Sequence, residues 1–355
     1  MTIDPREDHV DEGEDSPMSE LGGRRPLSDD VFPDPTAGMV LHRVLAMSAR
    51  TFLLNDGGDE PDDDGNRTGA VDALHLSMGA RPLWAQSVVE SFRGTQRRDD
   101  ETERIHQTRV SMRRIRSNLR SFRLLLDPAW GTALRAELAW YGNELGKSRD
   151  LDLLGSVVSE RGPEVLDATE MARMTALIDW RRAQVTDELA ADRSGSRRFH
   201  LTDQMTLLWE GPEFKGNAGK PATEVLPAML HRSWRDLRGA ARKARKDPSD
   251  IHLHQLRIRL KDLRYGAETV ALVEGGPARK TAKAAERLQG RLGDLHDAVF
   301  SIAWLESLST EQPDLADAAE RLVVVQRNLA DATRKGWKHD LKEVERRWRR
   351  WQGWD

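Results

Sequence analysis

The sequence predicts an all-α protein built as an internally duplicated helical bundle. Two observations favour this fold class: apolar residues recur at helical spacing over most of the chain beyond residue 71, and one motif-bearing segment recurs further along the chain at a nearly constant distance. Strand-type alternation is almost absent, and even Val323-Val324-Val325 lies within a helical pattern. A chain of 355 residues is long enough for one large domain or two moderate ones.

The N-terminal region is acidic and poor in apolar residues. Residues 1–36 combine acids, Gly, Pro and Ser and cannot bury enough apolar surface to offset the entropy of ordering, so we expect a disordered acidic leader. The pattern over 39–54 predicts a short amphipathic helix. A second acidic run at about 55–69 is expected to be an insertion in the first half of the domain, which we place at 37–210.

Helical periodicity and helix-breaking residues predict the remaining elements in order. Breaks are expected at Asp127-Pro128, Gly162-Pro163 and Asp247-Pro248, because proline cannot continue a helix. Residues 211–221, with two Gly-containing turns and two Pro, are the predicted linker to a second half at 222–355 that includes a C-terminal helix. The predicted helices span 71–93, 101–126, 130–145, 149–160, 164–193, 197–210, 222–246, 250–273, 278–292, 294–309, 313–335 and 337–351.

Two separated motifs recur along the chain. Ile105-His106-Gln107-Thr108-Arg109-Val110 returns 148 residues later as Leu253-His254-Gln255-Leu256-Arg257-Ile258. Leu145-Gly146 and Asp150 return 147 residues later as Leu292-Gly293 and Asp297. Two blocks at almost the same offset indicate a duplication.

Composition excludes several function classes. Cysteine is absent, so disulfides, thiolate metal sites and a cysteine nucleophile are excluded. No apolar run approaches the ~18 residues of a membrane-spanning helix and no secretory signal is apparent, so we expect a cytoplasmic protein without a membrane partner. Glycine-rich phosphate loops, nucleophile elbows and paired acidic motifs are missing. We therefore expect no enzymatic activity, no cofactor and no metal.

The net charge of −4 conceals an uneven distribution. Residues 1–70 hold 17 Asp and Glu against 6 Arg, whereas the rest of the chain holds 42 Asp and Glu against 49 Lys and Arg. A basic body behind an acidic leader indicates a polyanionic partner, either nucleic acid, an inorganic phosphate polymer or anionic lipid.

A row of basic side chains adjoins the apolar face of the helix predicted at 101–126. At 100° per residue, the row covers an arc of about 80° beside the core-facing arc rather than opposite to it. Because like charges at these spacings repel, the pattern favours a groove in which an anion supplies the missing negative charge. The row comprises His106, Arg109, Arg113, Arg116 and Arg120, and it recurs as His254, Arg257, Lys261 and Arg264.

Further basic residues extend the predicted site. A single Arg-rich helix is typically a solvated surface, but a row that recurs in register favours binding. The additional candidates are Lys147 and Arg149, Arg238 and Arg242 in the helix at 222–246, and Lys283, Arg287 and Arg291 in the helix at 278–292.

The matched histidines allow more than one interpretation. A His beside an apolar face is more often structural than a ligand or catalyst, although recurrence at matched positions weakens that interpretation. If each His paired with the matching carboxylate, Asp150 or Asp297, it would be cationic and could donate to phosphate. Metal ligation is disfavoured, because neither His106 nor His254 has a second ligand three or four residues further along.

The C-terminal segment offers a different binding surface. Trp348, Trp351 and Trp354 stand among arginines and could stack on bases. Packing of one aromatic edge of the C-terminal helix is the preferred interpretation.

Both His-x-x-Arg segments resemble the CHAD family, the conserved histidine α-helical domain. The resemblance rests on His106-Gln107-Thr108-Arg109-Val110-Ser111-Met112-Arg113-Arg114-Ile115-Arg116, on His254-x-x-Arg257-x-x-x-Lys261-x-x-Arg264-Tyr265, and on the segments at 145–150 and 292–297. It covers about residues 71–335 and implies two antiparallel four-helix bundles related by a pseudo-twofold axis, with a basic cavity that binds inorganic polyphosphate. Two positions depart from the repeat: Asp262 matches Arg114, and His296 matches Arg149.

The resemblance implies that the basic residues named above contact polyphosphate. Members of the family are often fused to a triphosphate tunnel domain, whose Glu-x-Glu-x-Lys motif is missing here. We therefore expect a stand-alone, non-enzymatic polyphosphate binder, recruited to polyphosphate granules. The alternative is a nucleic-acid-binding protein that uses the basic surface and the C-terminal Trp/Arg helix. A phosphatase is disfavoured by the missing acidic metal cluster.

Overall fold

Ten α-helices make up most of the part of the chain that the computed structural model describes, residues 35–56 and 101–353. The described ranges contain no strand, only isolated bridges between Thr36 and Pro221 and between Leu126 and Phe214. The all-α prediction is therefore confirmed. The helices are α1 (Ala37–Asp56), α2 (Glu101–Ser121), α3 (Pro128–Val165), α4 (Ala168–Arg193), α5 (Ser196–Glu210), α6 (Ala222–Lys246), α7 (Asp250–Glu274), α8 (Gly276–Glu311), α9 (Ala316–Arg334) and α10 (Trp337–Trp351).

Local signals explain most helix ends. α3 begins with Pro128 in its first turn, and the Asp127 carboxylate accepts hydrogen bonds from the backbone N–H groups of Ala129 and Trp130, at 3.0 and 2.9 Å. Asp167 caps α4 in a capping box with Glu170. The predicted bounds of α6 and α10 agree with the structure. The helix predicted at 71–93 and nearly all of the acidic leader lie outside the described residues.

The structure corrects three predicted breaks. Pro163 lies inside α3, which continues to Val165, so the break predicted at Gly162-Pro163 comes at Leu166-Asp167 instead. The segments at 130–145 and 149–160 form the single helix α3, and those at 278–292 and 294–309 form the single helix α8. Gly146 and Gly293, at the middle of these helices, do not end them. A glycine inside a helix costs only about 1 kcal/mol relative to alanine, which tertiary contacts can outweigh.

Two apolar clusters fill the molecule, and each draws on both halves of the sequence. The larger cluster contains the buried faces of α1, α2, α5, α6, α7 and α10 together with the first parts of α3 and α8. The smaller cluster joins the second parts of α3 and α8 to α4 and α9. α3 and α8 therefore pass from one apolar cluster to the other.

The contacts where α2 crosses α7 are reciprocal. Arg114 lies 3.9 Å from Glu268, and Arg120 lies 3.3 Å from Asp262. At an offset of 148 residues, Asp262 of α7 matches Arg114 of α2, and Glu268 matches Arg120. The contact between these two positions of the motif therefore occurs twice, and each time an arginine of α2 pairs with an acidic residue of α7. This is the contact pattern that a twofold axis between α2 and α7 would give.

A second reciprocal contact joins the starts of α1 and α6. The backbone N–H of Ala37 donates to the carbonyl of Lys220, and the N–H of Ala222 donates to the carbonyl of Pro35, both at 2.9 Å. α1 packs on α2, and α6 packs on α7. The duplication itself and the division into two four-helix bundles stay predictions.

Gly266 lets α6 approach α7 closely. A Cβ atom there would lie 2.3 Å from Cδ2 of the fully buried Leu230. We expect Gly266→Ala to destabilise the fold by about 1–3 kcal/mol through overpacking. Gly290→Ala is the matched control, since a Cβ there meets nothing within 4 Å, and it should stabilise the protein by about 0.5–1 kcal/mol. Urea unfolding measures both; equal stabilities of the two variants would contradict the packing argument.

Candidate functional site

The two glycines at the middle of α3 and α8 lie beneath the arginines of the recurring motif. The Arg109 Nη1 donates to the carbonyl of Gly142 at 3.1 Å, and a Cβ on Gly146 would lie 2.9 Å from the same nitrogen. A Cβ on Gly293 would lie 3.4 Å from Nη2 of Arg257. The Leu-Gly motif therefore provides space for a guanidinium group to lie against each long helix.

Signature residues from both halves meet at Arg109. Burial lowers the pKa of Arg109 to about 10, Arg113 and Arg149 lower it further, and the carboxylates of Asp150 and Asp297 oppose the change. Burial also raises the pKa of Asp150, and the negative charge of Asp297 adds to the rise. The matched carboxylates of α3 and α8 thus lie near each other and near an arginine of α2.

The histidine of the second copy packs against another histidine. The rings of His254 and His296 lie 4.7 Å apart between centroids. Burial and the positive charges of Arg257 and Lys261 lower the pKa of His254. Burial and Arg257 likewise lower the pKa of His296, against a smaller opposing effect of Asp297. The charges that shift the pKa of His254 are positive and do not include Asp297, so the hypothesis that Asp297 holds His254 as a cation gains no support.

We call this group the signature cluster: it comprises Arg109, Arg113, Arg149, Asp150, His254, Arg257, Lys261, His296 and Asp297. Within the cluster as defined, five Arg and Lys side chains lie with two carboxylates, which is an excess of positive charge among these described residues. The buried Nε of Arg113 and the buried Nδ1 of His254 have no hydrogen-bond partner among the described residues. His106 is half-buried one turn before Arg109 on α2.

Four predicted ligands make ion pairs with carboxylates. Arg264 is buried, and Glu268 and Glu286 both pair with it, so that the pKa of Arg264 is raised despite burial. The others pair across helices or within one: Arg120 with Asp262, Lys147 with Glu144 and Glu188, and Arg291 with Asp340. Two carboxylates therefore offset the charge of Arg264, and its predicted place at the centre of the site stays a prediction.

The remaining candidates divide by position. Arg116 is half-buried beside Arg135 and Asp262. Four others lie on exposed faces of α6 and α8 and make no ion pair among the described residues: Arg238, Arg242, Lys283 and Arg287. The structure does not link these four to the signature cluster.

Sequence reasoning missed three contributors to these charged groups. His296 follows Arg149 by 147 residues, so the recurring motif was a signal that could have identified it. Arg135 on α3 and Arg259 on α7 lie outside both recurring rows. Their proximity to Arg116 and Asp262 arises from helix packing, for which the local sequence carries no signal.

The C-terminal helix contributes to the core. Trp348 is fully buried and stacks on Trp234, with ring centroids 4.9 Å apart and planes 12° apart. The Nε1 of Trp351 donates to Glu274. The preferred packing interpretation is confirmed for these two residues, and Trp354 lies outside the described residues. Within the described ranges, no group of three or more His, Asp and Glu could hold a metal ion, and no helix could span a membrane.

Comparisons with known proteins identify similar sequences and folds. The CHAD domain family matches residues 87–306. Two uncharacterised proteins of Mycobacterium tuberculosis, from strains CDC 1551 and H37Rv, are 31% identical over 281 residues and 30% identical over 284. Each alignment covers 74% of this chain and 49% of the relative, so the chain spans about half the length of the curated relatives it matches.

Two solved structures have a similar fold. PptA from Streptomyces chartreusis gives a TM-score of 0.63 at 19% identity, covering 87% of this chain and 99% of that one. The CHAD domain from the plant Ricinus communis gives a TM-score of 0.62 at 20% identity, and the alignment covers 91% of this chain and 96% of that one.

The charges around His254 predict its titration. We expect His254 to titrate below the ordinary histidine pKa of about 6.5, because positive neighbours and burial disfavour the imidazolium. Lys261→Gln should raise that pKa by removing one of the positive charges, whereas Arg349→Gln on the exposed face of α10 should leave it unchanged. NMR titration of the imidazole signals measures the pKa of His254 in the wild type and in both variants. A pKa that does not move in the Lys261 variant would contradict the geometry of the cluster.

Proposed function

The chain belongs to the CHAD domain family, and we propose that it binds inorganic polyphosphate without catalysing a reaction. The observation that carries this proposal is the excess positive charge of the signature cluster, to which α2, α3, α7 and α8 all contribute. Such a cluster is costly when empty, since its cations repel one another in a partly desolvated place. A polyanion would offset that repulsion.

Polyphosphate fits the chemistry of this cluster. It is a flexible chain with about one negative charge per phosphate unit and no base or sugar to accommodate. Arginine guanidinium groups donate to phosphate oxygens in pairs, and lysine adds a compact charge. The buried Nε of Arg113 has no hydrogen-bond partner among the described residues, and this observation supports the proposal most directly. We further propose a cytoplasmic role in which the protein is recruited to polyphosphate granules.

Nucleic acid is the alternative ligand, and one observation weighs against it. That alternative used the C-terminal tryptophans as a stacking surface, but Trp348 is buried and stacked on Trp234. The signature cluster could still contact a nucleic-acid backbone, so competition between polyphosphate and nucleic acid is the direct test. Polyphosphate should displace labelled polyphosphate more effectively than equal phosphate equivalents of single-stranded RNA.

Charge reversal in the signature cluster tests the proposal. We expect Arg113→Glu with Lys261→Glu to weaken long-chain polyphosphate binding about a hundredfold or more, because each change removes an attraction and adds a repulsion of about 1 kcal/mol or more. Arg349→Glu with Arg350→Glu is the matched control on exposed positions of α10 and should change affinity far less. Titration calorimetry with circular dichroism measures affinity and helix content. Normal binding by the Arg113/Lys261 variant would reject the assigned site.

Salt provides an independent measurement. If several cations contact phosphates, the logarithm of the binding constant should fall linearly with the logarithm of salt concentration, by analogy with counterion release from nucleic acids. The Arg113/Lys261 variant should show a shallower slope than the wild type. No binding of long-chain polyphosphate at low salt would reject the proposed function.

The histidine pair predicts the pH dependence. In the free protein the pKa values of His254 and His296 are lowered, so both are mainly neutral near pH 7. A bound polyanion should raise both pKa values, so binding takes up protons and affinity should rise as pH falls through about 6.5. His254→Gln with His296→Gln should reduce this pH slope while binding above pH 8 stays close to the wild type. An unchanged slope would exclude the histidines from the site.

A further inference from the structure

The basic row of α2 continues past Arg113 into a second charged group. We call it the arginine cluster: it comprises Arg116, Arg120, Arg135 and Arg259 around the carboxylate of Asp262. Arg116 and Arg120 come from α2, Arg135 from α3, and Arg259 and Asp262 from α7. Only Arg116 and Arg120 belong to the row that the sequence predicts.

Asp262 is the buried anion of this group and is 7% exposed. Its carboxylate oxygens lie 3.3 Å from Nε of Arg120 and 3.5 Å from Nη1 of Arg259. The hydroxyl of Ser117 donates to it at 3.4 Å. Asp236 of α6 is a second, more distant carboxylate, 3.9 Å from Arg120.

The arginines outnumber the carboxylates that face them. Burial lowers the pKa of Arg116, and the positive charge of Arg135 lowers it further. Burial and the charge of Arg120 do the same to Arg135. The buried Nε of Arg135 and Nη1 of Arg259 have no hydrogen-bond partner among the described residues. A structural ion pair needs one arginine for one carboxylate. All four arginines are only half-buried, so the exposed parts of their guanidinium groups can meet an external anion.

The repeat shows that position 262 is chemically distinctive. Its counterpart in α2 is Arg114, which faces Glu268, the counterpart of Arg120. On one side of the helix crossing, the Asp262 carboxylate lies among arginines. On the other side, Arg114 and Arg264 lie beside Glu268, and Arg264 also pairs with Glu286. Among the described residues, cations outnumber carboxylates on the Asp262 side, whereas two arginines face two glutamates on the other.

We propose that the arginine cluster is a second phosphate-binding site for the same polyphosphate chain, and that Asp262 is an internal anion with which the chain competes. The inference rests on the proposed function. Arg109 and Arg120 are eleven residues apart, about 16 Å along α2 at 1.5 Å per residue. Arg113 lies between them. A long chain can therefore reach both clusters, whereas tripolyphosphate is too short and occupies the signature cluster alone.

The energetics of Asp262 support competition. Burial raises the pKa of Asp262 to about 6, although Arg120 and Arg135 lower it. The charged carboxylate is therefore held in an unfavourable place that the arginines do not fully offset. If phosphate groups paired with these arginines in place of Asp262, the carboxylate could take up a proton and remain buried as the neutral acid.

Two opposite changes test the second site by comparing long-chain polyphosphate with tripolyphosphate. Asp262→Asn removes the internal competitor and should tighten long-chain binding about tenfold, while tripolyphosphate affinity stays within about twofold of the wild type. Arg135→Gln with Arg259→Gln should weaken long-chain binding about tenfold, again without changing tripolyphosphate affinity. Arg349→Gln with Arg350→Gln removes two exposed cations elsewhere and should change neither. Calorimetry at one salt concentration measures the affinities, and thermal unfolding checks each fold.

The outcomes separate the inference from the function on which it rests. If long-chain affinity is unchanged in both variants while their melting temperatures fall, Asp262 is only a structural ion-pair partner and the inference is overturned. Equal changes for the two ligands would also overturn it, because they would place both clusters in one site. If the wild type binds neither polymer at low salt, the proposed function itself fails.

Discussion

The crossing of α2 and α7 is the contact on which the rest of the molecule's charged surface depends. Ile115 and Leu119 of α2 and Leu260 and Leu263 of α7 are all buried in one apolar cluster. Burial of each such side chain contributes about 1.5–3 kcal/mol, whereas a like-charge pair on a helix costs only a few tenths of a kcal/mol. Apolar packing therefore holds the basic residues in positions that their mutual repulsion alone would disfavour.

The two sides of this crossing differ in charge although their contacts are reciprocal. Arg264 is enclosed by Glu268 and Glu286, so one side is neutralised within the protein. On the other side Asp262 faces several arginines. Matched positions within one chain can carry different residues, which a symmetric pair of identical subunits cannot. The proposed anion binding would thereby favour the side with excess positive charge.

The fold was more predictable than the composition of the site. Proline breaks and helical periodicity predicted α6 and α10 to the residue. Gly146 and Gly293 were misinterpreted as helix ends, because a glycine that ends a helix and a glycine that makes room for a guanidinium look alike in the local sequence. The presence of Arg109 against Gly146 and of Arg257 against Gly293 identifies the second case, but these arginines come from other helices. The two recurring motifs are thus two parts of one contact.

By itself, the sequence determined the helical class, most helix ends and the recurrence of the basic row, because each depends on residues within a few turns of one another. Only the tertiary structure decided which basic side chains remain available to a ligand. Arg264, Arg291 and Lys147 meet carboxylates that come wholly or partly from other helices, and His254 meets His296 rather than Asp297. The availability of a charge depends on partners that packing brings together from distant positions, so no local pattern could have revealed it.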